Sequence, residues 1–265
     1  MIISDNIETA ITYDGNKYKA NNLINRIYYC EDNIIIENFW KVTKDKERYM
    51  LIDYFLLDLK EKKITLYDLD IEDSFMDGIQ DIEKIEVLNI EDGKEIKIIK
   101  TNKEEAKIII NKSNQIIGYV NNNLKIIGNS FLRYNRTLTE LELSKVEIIG
   151  DDFLEYNWNL NKLELPEVKI IGDRCLDGNQ TTLTELELPE VKIIGDQFVS
   201  YNESLTKVEL PKAKRIGDQF LSSNESLTKL ELPNLEIIGD GYLLFNQNLN
   251  SKYEKVYFKR YNEKK

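Results

Sequence analysis

The sequence predicts a solenoid of short stacked strands, entered through a small β-rich N-terminal segment. Three observations predict it. Ile-Gly pairs end at Gly128, Gly150, Gly172, Gly195, Gly217 and Gly239, with spacings of 22, 22, 23, 22 and 22 residues. A fixed period of this size marks units that stack to bury a shared core. Within each unit three apolar positions recur: Leu183, Leu186 and Leu188 match Leu138/Leu141/Leu143, Leu160/Leu163/Leu165, Leu205/Val208/Leu210 and Leu227/Leu230/Leu232. The last two of each set are two apart, so they point to one side of a short strand, the core side. All four prolines, Pro166, Pro189, Pro211 and Pro233, follow that strand at the same place, where a residue without an amide donor ends the pairing.

A second apolar set comes next, Val191, Ile193 and Ile194 in the type unit, and then the glycine. Glycine there suits a tight corner with positive φ or a close approach of backbones. After it stands Asp151, Asp173, Asp196, Asp218 or Asp240, with Asn129 in the first unit. Asp before a short apolar pair is an N-cap signature, so this column is read as structural and not as a metal site. Behind it runs an aromatic column, Phe131, Phe153, Phe198, Phe220 and Tyr242, in which Cys175 takes the third place as a buried core thiol. Asn135, Asn157, Asn179, Asn202, Asn224 and Asn246 recur before each strand. A stacked asparagine bonds the backbone of its own turn and of the next, satisfying groups the turn leaves open. Asn135, Asn179, Asn202 and Asn224 also fit the glycosylation sequon, which we read as incidental because a buried, bonded amide accepts no sugar.

Residues 1–105 carry no repeat and read as short strands between turns. Asp14-Gly15-Asn16 separates Ala10–Tyr13 from Lys17–Lys19 as a hairpin. Arg26–Cys30 and Asn33–Val42 are rich in strand formers, and Tyr49–Leu59 followed by Ile64–Asp68 reads as paired strands, with a short buried helix over Leu51–Leu59 as the alternative. Lys84–Ile90, Glu95–Lys100 and Ala106–Asn111 form a meander that runs toward the first repeat. The acidic cluster Asp68, Asp70, Glu72 and Asp73 is no EF-hand, since Asp73 stands where the loop needs glycine. The expected division is a β-rich cap or partner domain over 1–105, the solenoid over 106–251 and a basic tail over 252–265. Capping answers a physical need, because the first unit otherwise exposes its apolar end.

Composition closes several routes. The chain has no histidine, which removes Ser-His-Asp and Cys-His catalysis and the commonest zinc ligand. No catalytic residue, cofactor or metal site is expected. A net charge of −11 argues against nucleic acid or an anionic membrane as main partner. Only the stretch Lys252–Lys265 is basic, with six Lys or Arg against two Glu. The start lacks the basic and apolar segments of a signal peptide, no apolar run approaches a membrane span, and Cys30 and Cys175 lie far apart, so a cytoplasmic protein without a disulfide framework is expected, with the cell surface by a non-classical route as the alternative.

The unit Leu-Thr-x-Leu-x-Leu-Pro-x-Val-x-x-Ile-Gly-Asp-x-Phe-Leu-x-x-Asn resembles the BspA-type (Treponema-type) leucine-rich repeat over about residues 116–251. The resemblance implies an α/β-type leucine-rich repeat solenoid: a short parallel β-sheet on one face, a mostly irregular or short-helical convex side, and the small β-rich domain before it. It also implies protein recognition or adhesion without catalytic residues. This sequence departs in using Phe-Leu where the class often has Ala-Phe, and Asn where it often has Cys.

Outward strand positions then form the candidate partner-binding strip. One column is Glu142, Glu164, Glu187, Glu209 and Glu231, and its neighbour is Glu140, Lys162, Glu185, Lys207 and Lys229. Strands about 4.8 Å apart would stack five like charges in the first column. A solvated face that resists aggregation and a docking strip for a basic or repetitive protein partner are both consistent with it. The reading is a non-enzymatic protein–protein interaction or scaffold module. The rivals are a surface adhesin of the same class and an effector activity in residues 1–105 with the solenoid as targeting arm.

Overall fold

The computed structural model describes residues 9–11, 17–19, 48–52, 55–66, 75, 79–178, 183–246 and 248–249. The stretches read as strands at Arg26–Cys30 and Asn33–Val42, the acidic cluster Asp68–Asp73, Cys30, Asn179 and the basic tail lie outside these residues. The chain divides into two compact units, residues 1–72 with 76–121, and residues 73–75 with 122–265.

Among the described residues the first unit is built of β-strands. β1 (Thr9–Ile11) and β2 (Lys17–Lys19) pair antiparallel, as the Asp-Gly-Asn turn predicts. The apolar run after Tyr49 is neither one strand nor a helix. It folds back on itself as β3 (Tyr49–Ile52) against β4 (Phe55–Asp58), and β5 (Lys63–Leu66) joins β4 on its other side. Arg48 binds Asp58 through Nε and Nη2 beside this sheet. The predicted meander is present as β6 (Ile82–Ile90), β7 (Gly93–Lys100) and β8 (Glu105–Asn111), and β9 (Ile116–Val120) adds a fourth antiparallel strand. Alternation puts Ile96, Ile98, Ile108 and Ile110 on one buried face.

In the second unit each repeat contributes two short strands. Six Ile-type pairs form one continuous parallel sheet: β10 (Ile126–Ile127), β12 (Ile148–Ile149), β14 (Ile170–Ile171), β16 (Ile193–Ile194), β18 (Arg215–Ile216) and β20 (Ile237–Ile238). The leucine strands are β11 (Glu140–Glu142), β13 (Lys162–Glu164), β15 (Glu185–Glu187), β17 (Lys207–Glu209) and β19 (Lys229–Glu231). Leu141, Leu186, Val208 and Leu230 point inward from their middle positions and are buried. Each proline stands second in a tight turn that leaves the strand: the Ala213 amide donates to the Leu210 carbonyl across Pro211 at 3.2 Å.

Of the two expectations for the opposite side, irregular or short-helical, the described residues follow the irregular one. Among the described residues the segment after each glycine holds no helix. Instead φ is positive at every second residue: Asp152, Leu154 and Tyr156 in one turn, Gln197, Val199 and Tyr201 in another, Gln219, Leu221 and Ser223 in the next. Left-handed backbone costs an L-residue roughly 1–2 kcal/mol. Two arrangements offset that cost. The middle residue of each set, Leu154, Val199 or Leu221, is buried, and the three amides of a set bond to neighbouring turns in alternation. Asp152 donates forward to the Asp173 carbonyl, Leu154 back to Phe131, and Tyr156 forward to Asp177, at 2.8 to 3.0 Å.

This lattice explains the Asp, Gly and Asn columns. The Asp carboxylate caps no helix: Asp173 Oδ1 accepts the Asp196 amide at 2.8 Å, and Asp196 Oδ1 accepts the Asp218 amide at 2.8 Å. The glycines of the repeat are required by close approach and not by φ, since a Cβ on Gly195 would lie 2.6 Å from the Gly172 carbonyl carbon. Asparagine side chains reach back to the carbonyls of left-handed residues one turn earlier: Asn157 to Leu132 at 2.9 Å, Asn202 to Leu176 at 3.0 Å, Asn224 to Val199 at 2.7 Å. Asn224 also donates to Ser222 of its own turn and accepts the Asn202 amide. Replacing Asn224 by Ala therefore removes three bonds at a fully buried site, and a urea melt should show a loss of about 1–3 kcal/mol. The aromatic column is stacked, Phe131 on Phe153 at 5.7 Å and Phe198 on Phe220 at 6.0 Å. Phe75, from the short insert at 73–75, packs on Phe131 at 5.7 Å and closes its first end. Cys175 is buried in the gap, its thiol raised well above the ordinary range by burial and donating to the Gly150 carbonyl.

Candidate functional site

All ten residues of the predicted strip lie on the leucine strands, and none is buried. The structure splits the strip. β11 and β13 pair Glu140 with Lys162 and Glu142 with Glu164, whereas β15, β17 and β19 form a separate ladder. The expected row of five glutamates is thus two rows, Glu142/Glu164 and Glu187/Glu209/Glu231. The break coincides with the one 23-residue unit, whose extra residue falls in the sequence between Asn179 and Leu183.

Nor do the carboxylates simply repel. Lys207 Nζ lies 2.6 Å from Glu187, 3.1 Å from Glu209 and 3.4 Å from Glu185. Lys229 bridges Glu209 at 2.6 Å and Glu231 at 3.0 Å, and Lys162 holds Glu164 at 2.9 Å. Donating to Glu187 and then to Glu209 raises the Lys207 ammonium above its ordinary value, and bonds from Lys229 and Lys207 lower the Glu209 carboxyl. The strip is an interleaved ion ladder with an acidic excess.

Two surfaces went unread in the sequence. The first residue of each Ile pair faces solvent, so Ile126, Ile148, Ile170, Ile193 and Ile237 form an exposed row interrupted by Arg215. The other surface follows the left-handed segments, where the last position of each reads Tyr134, Tyr156, Gly178, Tyr201, Ser223 and Phe245. Tyr134 and Tyr156 stack with centroids 5.3 Å apart and planes 2° from parallel. Gly178 breaks the column. A Cβ there would meet the Tyr156 ring at 2.5 Å, so that ring leans over the glycine, and a cleft of about 510 Å³ is lined by Tyr156, Trp158, Gly178 and Tyr201. Asp177, Glu203 and Glu225 line the same cleft. The signal was present in the sequence as a lone glycine in an aromatic column, next to an acid.

The position before that column reads Arg133, Glu155, Asp177, Ser200, Ser222 and Leu244. Glu155 is 2% exposed, and burial raises its carboxyl despite the ion pair with Arg133. Arg133 also lies 3.5 Å from Asp152 and 4.8 Å from the Tyr134 ring centroid. Asp177 is 8% exposed, and its Oδ1 has no hydrogen-bond partner among the described residues. Burial first, and then the Glu155 charge, push its carboxyl from the ordinary 3.8 to about 6, with the Gly178 amide and Arg174 opposing.

A folded-state pKa above the unfolded one means that folding takes up a proton between these values, so stability is greatest below about pH 4 and falls as pH rises through about 6. At about 1.36 kcal/mol per unit the full shift is about 3 kcal/mol, and about 2 kcal/mol after allowance for solvent screening. Asp177→Ser, which copies the next two turns, should raise stability by that amount at pH 8 and by much less at pH 4. Urea melts at the two pH values check it, and equal gains at both would refute the electrostatic cause.

Among the described residues no group of three or more His, Cys, Asp or Glu is placed to hold a metal ion. None of the helices among them is long and apolar enough to cross a membrane. No curated protein and no solved structure matches the chain. The family described as BspA type leucine rich repeat region does match, in six copies over residues 71–181 and 147–255. With its 22-residue period, its stacked parallel strands and this match over more than half its length, the chain belongs to the BspA-type leucine-rich repeat family.

Proposed function

We propose that the protein is a protein-binding or scaffold module without chemistry of its own, which engages a protein partner through its solenoid. The observation that carries this reading is the exposed strip on β11 to β19, seven glutamates against three lysines repeated turn after turn on rigid strands. Such a face suits a basic or repetitive partner, because like-charged competitors are repelled and the excess carboxylate steers cations. In this reading residues 1–105 act as the N-terminal cap or a partner domain, 106–251 as the binding solenoid and 252–265 as a basic tail.

Affinity capture with the full chain, beside a variant carrying Glu187→Gln, Glu209→Gln and Glu231→Gln, tests it. A protein retained by the parent in low salt and lost by the folded variant supports the reading. Identical capture by both overturns the role of the strip. Glu187→Gln alone should leave the urea midpoint unchanged, because Lys207 keeps Glu185 and Glu209 as partners and exposed pairs contribute little. A clear loss would mean that the carboxylate is held more tightly than an exposed pair.

A further inference from the structure

We infer that the cleft at Gly178 is a second binding site, distinct in its residues from the strip, and that it takes an arginine side chain of a protein partner. The molecule supplies the template itself. In the preceding turns Arg133 neutralises buried Glu155 while its guanidinium lies over the Tyr134 ring at 4.8 Å, and Arg136 lies over Trp158 at 3.9 Å. One turn on, the positions of Glu155 and Tyr134 offer an acid and a ring, Asp177 and Tyr156, without the cation. Asp177 replaces Glu155, and the Arg133 position one turn before it is filled by Glu155 itself, which repels instead of pairing. Arg174, the nearest opposing cation, is bound to Asp152 at 2.7 Å.

The cleft walls match that missing group. Tyr156, Trp158 and Tyr201 line it, Asp177 offers a buried oxygen with no described partner, and Glu203 and Glu225 add charge; among the described lining residues there is no lysine or arginine. Aromatic faces attract a cation through their quadrupole. A planar guanidinium both stacks on a ring and bonds a carboxylate through its fork, which an ammonium on a flexible stem does not do. A buried carboxylate oxygen with no described hydrogen-bond partner is a cost the fold carries, and an incoming arginine removes it. Tyrosine and tryptophan around a pocket are also the residue types enriched at energetic centres of binding.

The probe is the peptide acetyl-Gly-Gly-Arg-Gly-Gly-amide, with lysine and citrulline counterparts, titrated against the full chain by NMR. The expected result is saturable binding of the arginine peptide, at least about threefold weaker binding of the lysine peptide, and none of the neutral citrulline peptide. Asp177→Ser and Tyr201→Ser, both copies of residues that later turns already carry at these positions, should each weaken binding about tenfold or more. Glu190→Gln, at an exposed acid outside both the cleft and the strip, should leave it unchanged. Three outcomes overturn the inference: no saturable binding of the arginine peptide, equal binding of the lysine peptide, or a loss on Glu187→Gln with none on Asp177→Ser. The last of these would place the cation on the strip, so the two sites fail separately.

Discussion

Gly217→Ala should destabilise the protein by about 3 kcal/mol or more, a large fraction of the stability of an ordinary domain. A Cβ at this position would lie 2.2 Å from Asp196 Oδ1 and 2.6 Å from both the carbonyl carbon and oxygen of Gly195. Two of these atoms are backbone in the adjacent turn and cannot step aside without separating the turns. The third belongs to the carboxylate that accepts the Asp218 amide at 2.8 Å, so the added methyl also breaks a rung of the Asp ladder. Gly241→Ala is the contrast. Gly241 has φ +70° but room around it, its nearest neighbour being a leucine methyl at 3.3 Å. Five other turns already carry Ser130, Asp152, Arg174, Gln197 and Gln219 at that place with positive φ, and the change should cost only about 1 kcal/mol. Urea melts of both variants decide between crowding and conformation, and equal losses would refute the crowding argument.

Arg133→Met should cost about 3 kcal/mol at pH 8. Its partner Glu155 is 2% exposed, and no other salt bridge to that carboxylate is present among the described residues. Removing one half of a buried pair leaves a desolvated charge, which is worse than having neither. The sign with pH follows. Burial already raises the Glu155 carboxyl, and without Arg133 it rises further, so the variant takes up a proton on folding at mildly acid pH. Its deficit should therefore shrink as pH falls from 8 to 5. Adding Glu155→Gln to Arg133→Met should recover most of the loss at pH 8. A deficit independent of pH, or a double variant no better than the single, would show that Arg133 acts through its packing on Tyr134 instead.

Much of the fold was legible because repetition amplifies weak signals. A single Leu-x-Leu or Ile-Gly says little, but the same pair at a fixed interval fixes which residues stack on which. Hence the strands, the buried Leu141 and Val208, the aromatic column and the buried thiol of Cys175 all lie where the period puts them. The asparagine column was legible for the same reason, since an amide that recurs in a core has to bond backbone, but the amides reach the preceding turn and not the next one as expected. Of the candidate surfaces, the strip residues were found by alternation alone. The split between Glu164 and Glu187 was visible as one extra residue, but its consequence for pairing was not.

What the chain by itself determined is therefore the order of the turns and the inward or outward side of each leucine strand, which follow from a period of two within a period of 22. What only the tertiary structure decided is the backbone between them. Leu154, Val199 and Leu221 have no local preference for positive φ, and an Asp after glycine reads locally as a helix cap. They adopt the left-handed state because amides and carbonyls of the turns on both sides bond them there. The cleft depends on the same packing. It is folding that brings Tyr156, Trp158 and Tyr201 around Gly178, and that buries Asp177 Oδ1 with no partner among the described residues.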